Sequence, residues 1–297
     1  MSLAVVAIST GDIRYPTALA AIHDPPPTLW IKGHADVLRT PSVAIVGSRV
    51  ASPYALEVAR QLGADLARRG VTVVSGMARG VDSAAHRGAL EGGGATIAVF
   101  GCGVDIIYPP EHAALAQSIC ERGALVSEFP PGTPPYRGHF PQRNRIISGL
   151  SLAVVVVEAA EGSGSLITAD FAMEQGRAVL AVPGNVLGGR NYGAHALLRD
   201  GAKLVECADD ILEELPAGIG GWGLGITPAT ESKVGNSASQ DPVLRRMTEG
   251  DAYDLDELSH LSGLDRVKLL PRLLELELGG AVRRVEGGRF VRFRGPC

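Results

Sequence analysis

Cysteine is scarce and scattered. Cys102, Cys120, Cys207 and Cys297 form no CxxC pair and no Cys/His spacing. That argues against a zinc site and a disulfide scaffold, and it fits a reducing, cytoplasmic setting. No apolar run reaches the ~18 residues of a membrane span, so no membrane partner is expected. Residues 1–10 lack the basic and apolar regions of a secretory signal. Net positive charge is missing too: 28 Lys and Arg against 32 Asp and Glu leave −4. Nucleic-acid binding would therefore have to come from a local patch.

What is present suits a soluble globular chain. Its 297 residues, 45% apolar and 20% charged, suffice for one large core plus a smaller unit. Residues 1–42, broken by Pro25, Pro26 and Pro27, read as an irregular lead-in strap with a short strand near Leu29-Trp30-Ile31. From Val43 to Leu215 short apolar strands alternate with amphipathic helices. Strands are expected at Val43–Val46, Val71–Val74, Thr96–Phe100, Ala124–Val126, Leu152–Val157 and Ala178–Val182. Ser52 and Pro53 read as N-cap and first position of a helix that stops at Gly70, and Asp82 as the cap of the next. This is an α/β pattern, a doubly wound, mostly parallel, Rossmann-like sheet. Residues 216–240, rich in Gly, Ser and Pro, read as a linker. Residues 241–297 read as three short helices (Pro242–Thr248, Leu255–Leu261, Asp265 to about Leu278) and a hairpin across Gly287-Gly288, a winged-helix pattern.

Three Gly/Ser loops follow strands: Gly47-Ser48-Arg49, Ser75 to Gly80 with Arg79, and Gly162-Ser163-Gly164-Ser165. Strand C-terminal ends share one edge in such a sheet, so the loops can converge on one crevice, the last opening a helix whose N-terminus favours anions. None of them matches GxGxxG, and GxxxxGK[ST] does not occur, so neither NAD nor P-loop chemistry is supported and no cofactor is expected. Arg137, Arg143 and Arg145 flank Phe140 and Asn144 just before a buried strand. Arginine suits phosphate, and an aromatic beside it offers a base a face to stack on. These residues point to a phosphate-bearing ligand with flat faces.

Catalytic candidates are thin. Asp82 reads more simply as a cap with His86 as its partner, Glu128 and Glu158 sit at strand ends, and Ser48 and Ser165 lack a base. No acid/base pair emerges, and the chain reads as a non-enzyme. In the C-terminal unit Arg266, Lys268, Arg272, Arg283, Arg284, Arg289, Arg292 and Arg294 are balanced by Asp254, Asp256, Glu257, Glu275 and Glu277. Groove reading and protein docking suit that unit equally.

The stretches VAIVGSR (43–49), SGMARGVDSAAH (75–86), FPQRNRIISGLS (140–151) and EGSGSLITADFAMEQGRAVLAVPG (161–184) resemble the DNA-processing proteins of the DprA/Smf family. The resemblance spans residues 14–215 and implies an extended Rossmann domain that binds single-stranded DNA, protects it during natural transformation and loads RecA recombinase, commonly as a homodimer. It puts Gly47, Ser48, Arg49, Ser75, Gly76 and the 162–165 turn on phosphates. Arg137, Arg143, Asn144 and Arg145 would lie along the strand, with Phe140 against a base; Arg79 and Thr168 complete the candidate set. Many members carry a helical N-terminal domain, whereas this chain starts almost at the Rossmann lead-in. Only some members carry a winged helix, so its role transfers weakly. Two alternatives compete. One is a phosphoribohydrolase with a PGGxGTxxE signature, whose glutamate falls on Thr168, a residue without a carboxylate. The other is a winged-helix regulator sensing a nucleotide.

Overall fold

The computed structural model describes residues 4–216, 241–248, 251–278, 281–285 and 289–292. The chain divides into two compact units, Met1–Leu224 and Gly225–Cys297. The first opens with β1 (Val5–Ser9), the short helix α1 (Thr17–Ala20) and β2 (Thr28–Gly33). It continues through β3 (Ser42–Val46), α2 (Pro53–Arg68), β4 (Thr72–Ser75), α3 (Val81–Glu91), β5 (Thr96–Val99), α4 (Ala113–Arg122) and β6 (Ala124–Ser127). Then come α5 (His139–Leu150), β7 (Ala153–Val156), α6 (Gly164–Glu174), β8 (Ala178–Ala181), α7 (Tyr192–Arg199), β9 (Lys203–Leu204) and α8 (Ala208–Leu212).

The nine strands lie in the order β1-β2-β6-β5-β4-β3-β7-β8-β9. From β6 to β9 every pairing is parallel, and β2 and β1 add an antiparallel edge. A central strand covered on both sides must be apolar on both, and all of β3 is buried. Its period of two sends Val43 and Ile45 into the layer holding Ala55, Ala59 and Leu62 of α2. Ala44 and Val46 face the opposite layer with Ile146 and Ile147 of α5. Each such buried Val or Ile stabilises the sheet by roughly 1.5–3 kcal/mol.

The local signals at α2 hold: Ser52 Oγ accepts from Ala55 N at 3.2 Å, with Pro53 at the first position. The strand expected near Leu29-Trp30-Ile31 is β2, but the lead-in also supplies β1, which the pattern did not announce, and both join the main sheet. The stretch from Phe140 to Arg145, for which the pattern announced no element, lies inside α5.

The second unit contains β10 (Ala252–Tyr253), α9 (Leu255–Ser262), α10 (Arg266–Leu278), β11 (Val282–Arg284) and β12 (Phe290–Arg292). Its three strands run in the order β10-β12-β11. Leu258, Leu269, Leu273, Val282 and Phe290 form its core. A capping box starts α9: the Asp254 carboxylate accepts from Glu257 N at 2.8 Å, and Asp254 N donates to Glu257 at 2.8 Å. The helix expected over Pro242–Thr248 is only one 3-10 turn, Leu244–Arg246, and β10 is a strand the pattern did not announce. The linker past Pro216, the Gly287-Gly288 turn and Arg294 lie outside the described residues.

Candidate nucleic-acid interface

From β3 the chain winds outward through β4, β5 and β6 on one side, then returns to β7 on the other and continues to β8 and β9. The loops leaving β3 and β7 therefore diverge, and open α/β sheets bind ligands where that happens. A crevice of about 470 Å³ lies there, walled by Gly47–Val50, by residues 160–168 and by the α5 side chains Phe140, Arg143, Asn144 and Ile147.

The first wall is fastened at both ends. Ser48 N donates to Glu158 O at 2.7 Å, and Ser48 O accepts from Val81 N at 3.2 Å. The Glu158 carboxylate, itself buried, takes Ser52 Oγ at 2.6 Å and Ser52 N at 3.1 Å. Exposed Arg49 sits between these anchors, its guanidinium 5.8 Å from the centre of the Phe140 ring, within cation–π range. The opposite wall is the N-terminus of α6. Ser163 caps it, its hydroxyl 2.9 Å from that of Ser165, and Asn144 Nδ2 donates to Gly164 O at 3.2 Å. Aligned peptide dipoles make such an end favourable to anions.

Beneath the crevice a buried clamp holds the loop after β4. Asp82 is not the cap of α3; Gly80 is, and the Asp82 carboxylate instead accepts from Gly76 N at 3.1 Å and Ala78 N at 3.2 Å. Arg143 Nη1 donates to Gly76 O at 2.7 Å and also to Val99 O. His112 Nδ1 donates to Met77 O at 3.0 Å. The loop needs this hold, because buried Met77 has φ 61, which an L side chain rarely adopts. Glycine is required at Gly80, which has φ 76 and where a Cβ would strike Ser48 O, while a Cβ at Gly76 would push against the Arg143 guanidinium. Burial pushes the Asp82 carboxyl up, against the pull of Arg143 and the amides. Burial also brings Arg143 down to about 10, so it remains a cation at neutral pH.

The crevice brings together Gly47, Ser48, Arg49, Phe140, Arg143, Asn144, Ser163, Gly164, Ser165 and Thr168 from the sequence-derived set. Five candidates lie elsewhere. Ser75 is buried, its hydroxyl donating to Ile45 O at 2.6 Å, and Gly76 is engaged on both sides by the clamp. Arg145 points away: its fork grips Glu128 at 2.7 and 2.8 Å while Nε meets Asp24 at 2.9 Å. At 100° per residue, positions two apart on a helix face nearly opposite ways, which separates Arg145 from Arg143. Arg79 is exposed and pairs with Glu111 at 2.5 Å, and Arg137 is exposed outside the lining. The sequence reading missed Val50, Ala78, Ile147, Glu161 and Ile167 as lining residues. Spacings of three and four from Phe140 and Arg143 would have found Ile147.

The carboxylates bordering the crevice are Asp82, held by amides, and Glu161, while Thr168 stands at the phosphoribohydrolase glutamate position. Among the described residues no cluster of three or more His, Cys, Asp or Glu could hold a metal ion. No helix among them is long and apolar enough to cross a membrane.

Comparison with known proteins gives two matching family models: DNA recombination-mediator protein A over residues 6–216, and the DprA winged helix domain over 227–288. Protein Smf of Escherichia coli is 43% identical over 289 residues, 95% of this chain and 76% of its own. DNA processing protein DprA of Streptococcus pneumoniae is 46% identical over 208 residues, 70% of this chain and 73% of its own. The X-ray structure of the S. pneumoniae protein superposes with a TM-score of 0.69 at 44% identity, covering 71% of this chain and 74% of that one. DNA processing protein A of Helicobacter pylori, described for its single-stranded DNA binding mode, gives a TM-score of 0.65 at 30% identity. It covers 73% of this chain and 100% of its own.

Proposed function

The chain belongs to the DNA recombination-mediator protein A family, and on that premise we propose that it binds single-stranded DNA in the crevice between β3 and β7. The observation that carries this is Arg49, exposed and held over Phe140, facing the N-terminus of α6 across the crevice. Phosphates would lie along Gly47, Ser48 and Arg49 on one wall and Ser163, Gly164 and Ser165 on the other. Thr168 and Asn144 shape the floor, and Arg143 sets the loop beneath. The described single-strand binding of the H. pylori relative supports the assignment.

The finer reading extends this. The protein protects incoming DNA during natural transformation and loads RecA recombinase onto it, as a cytoplasmic homodimer and without catalytic turnover. Residues 43–215 carry the DNA site, 1–42 complete that domain as the antiparallel edge of its sheet, and 241–297 form an accessory winged-helix domain.

Fluorescence anisotropy with a single-stranded oligonucleotide and its duplex, at two salt concentrations, tests the core of this. Single strand should bind more tightly, with log K falling by roughly 0.7 per phosphate contact per decade of salt. Equal affinity for duplex, or no binding, would sink it. RecA loading is read separately, as faster RecA filament growth on a strand coated with single-strand-binding protein.

A further inference from the structure

The Phe140 ring, which lines the crevice, has two close neighbours. Arg49 covers the ring at 5.8 Å, and Tyr108 leans on it with centroids 5.4 Å apart and planes tilted by 37°. Tyr108 itself is 42% exposed. The loop that presents it is well fastened. Gly103 N donates to Thr133 O at 2.9 Å, the Asp105 carboxylate accepts from Gly132 N at 2.9 Å, and His112, just beyond, is tied to Met77. Ile106 and Ile107 on the same loop pack inward against the core. A rigid ring presented to solvent in this way gives a base a stacking face at little loss of side-chain entropy. Arg79 is tied to the same stretch of chain, its guanidinium held at 2.5 Å by Glu111, three residues beyond Tyr108, with both side chains largely exposed.

We propose that Tyr108 is a base-stacking step that carries a single strand out of the crevice toward Arg79, and that Glu111 restrains Arg79 from the next phosphate. Phe140, against which Tyr108 leans, is the step before it inside the crevice. The proposal rests on single-strand binding in the crevice.

If Tyr108 merely covered Phe140, leucine would serve as well. Anisotropy on the full chain, with an oligonucleotide carrying 2-aminopurine, separates the cases. Tyr108→Leu should bind roughly 5- to 150-fold more weakly, the span of one lost base stack, and should lose part of the 2-aminopurine quenching. Tyr108→Phe should match wild type. Glu111→Gln should tighten binding and steepen the salt dependence by roughly 0.7, because Arg79 becomes one more phosphate contact. Unchanged melting temperatures establish that the variants fold.

Wild-type affinity for Tyr108→Leu, or equal weakness in Leu and Phe variants, overturns the stacking role. Unchanged or weaker binding by Glu111→Gln overturns the restraint. If wild type binds and Arg49→Ala weakens it while Tyr108→Leu does not, only this inference fails. If wild type binds no single strand, the crevice reading fails and takes this one with it.

Discussion

The arginines of the crevice and those of α10 in the second unit look alike in sequence and live in different surroundings. Arg49 is exposed with its charge turned toward an aromatic ring, in a loop fixed by its own backbone. On α10, Arg266 faces Asp256, and Arg272 is shared between Asp241 and Glu275 at 2.5 Å each. The exposed face of that helix carries Leu270 and Leu274. Reading a major groove takes polar side chains aimed at base edges, and this helix presents leucines between neutralised cations. The number of arginines in a segment therefore says less about its partner than the number that are already paired.

The largest effect separates a buried arginine from an exposed one. Arg143→Ala leaves the Asp82 carboxylate buried without its cation and empties the contacts to Gly76 O and Val99 O. Leaving a buried acceptor without its donor costs about 1–3 kcal/mol, and two carbonyls lose theirs here, so urea unfolding should show a loss of about 2–5 kcal/mol together with weaker DNA binding. Arg143→Lys should not rescue it, since one ammonium cannot reproduce the fork. A loss of DNA affinity with unchanged stability would instead make Arg143 a direct phosphate contact.

Acid should then distinguish the two units. His86 is wholly buried, and its Nδ1 donates to Thr96 Oγ1 at 2.7 Å, because that hydroxyl gives its own proton to Val73 O at 2.7 Å. Nε2 is left buried without a partner, so protonating it would bury a charge. Burial first, then the positive field of Arg143, lowers His86 to about 3 from the ordinary 6.5. Between those values the unfolded chain takes a proton that the folded one refuses, so this stability is full above about pH 6.5 and lost progressively down to about 3. Asp82, raised by burial, acts in the opposite direction. In the second unit, Asp241 is held below its ordinary 3.8 by Arg272 and the amides of Val243 and Leu244 despite its burial, so its contribution fades only below that value. Circular dichroism against pH should show the first unit weakening first, and His86→Leu should flatten its slope between pH 6.5 and 3. An unchanged slope would remove His86 as the cause.

Arg49→Ala comes next. Losing one charge-assisted phosphate contact should weaken single-strand affinity about tenfold or more and reduce the salt slope by roughly 0.7. The melting temperature should stay where it is, because the loop anchors use Ser48 backbone and Ser52, not the Arg49 side chain. A variant that melts earlier would instead make Arg49 a structural member of the loop.

Much of this was legible in the residues, for reasons that also explain the rest. β3 and β7 are continuous apolar runs ending in small residues, and Ser52-Pro53 is a helix start written in side chains, so these strands, the cap of α2 and the crevice edge could be placed. α5 was not legible. His139, Phe140 and Asn144 are weak helix formers and Pro141 reads as a breaker, yet a proline in the first turn forgoes no hydrogen bond. Missing that helix hid the rotation that sends Arg143 inward and Arg145 toward Glu128. The clamp was hidden as well, because capping geometry explains an aspartate near a helix start without revealing that it turns back to Gly76 and Ala78.

The smallest expected effect bears on α10. Lys268 is exposed with no side-chain contact holding it in place among the described residues, and Arg266 is paired at the surface with Asp256, so neither offers a strand a charge that is both free and positioned, as Arg49 does. The double change Arg266→Ala/Lys268→Ala should alter single-strand affinity less than about twofold and leave the salt slope where it was, since each true phosphate contact removed would lower it by roughly 0.7. Anisotropy beside the Arg49→Ala series reads both quantities at once. A slope reduced by two contacts would put α10 on the DNA path and show that surface pairing is no bar to phosphate binding. An unchanged slope leaves the leucine-bearing face of α10 as the surface to explain, which favours protein docking over groove reading in this unit.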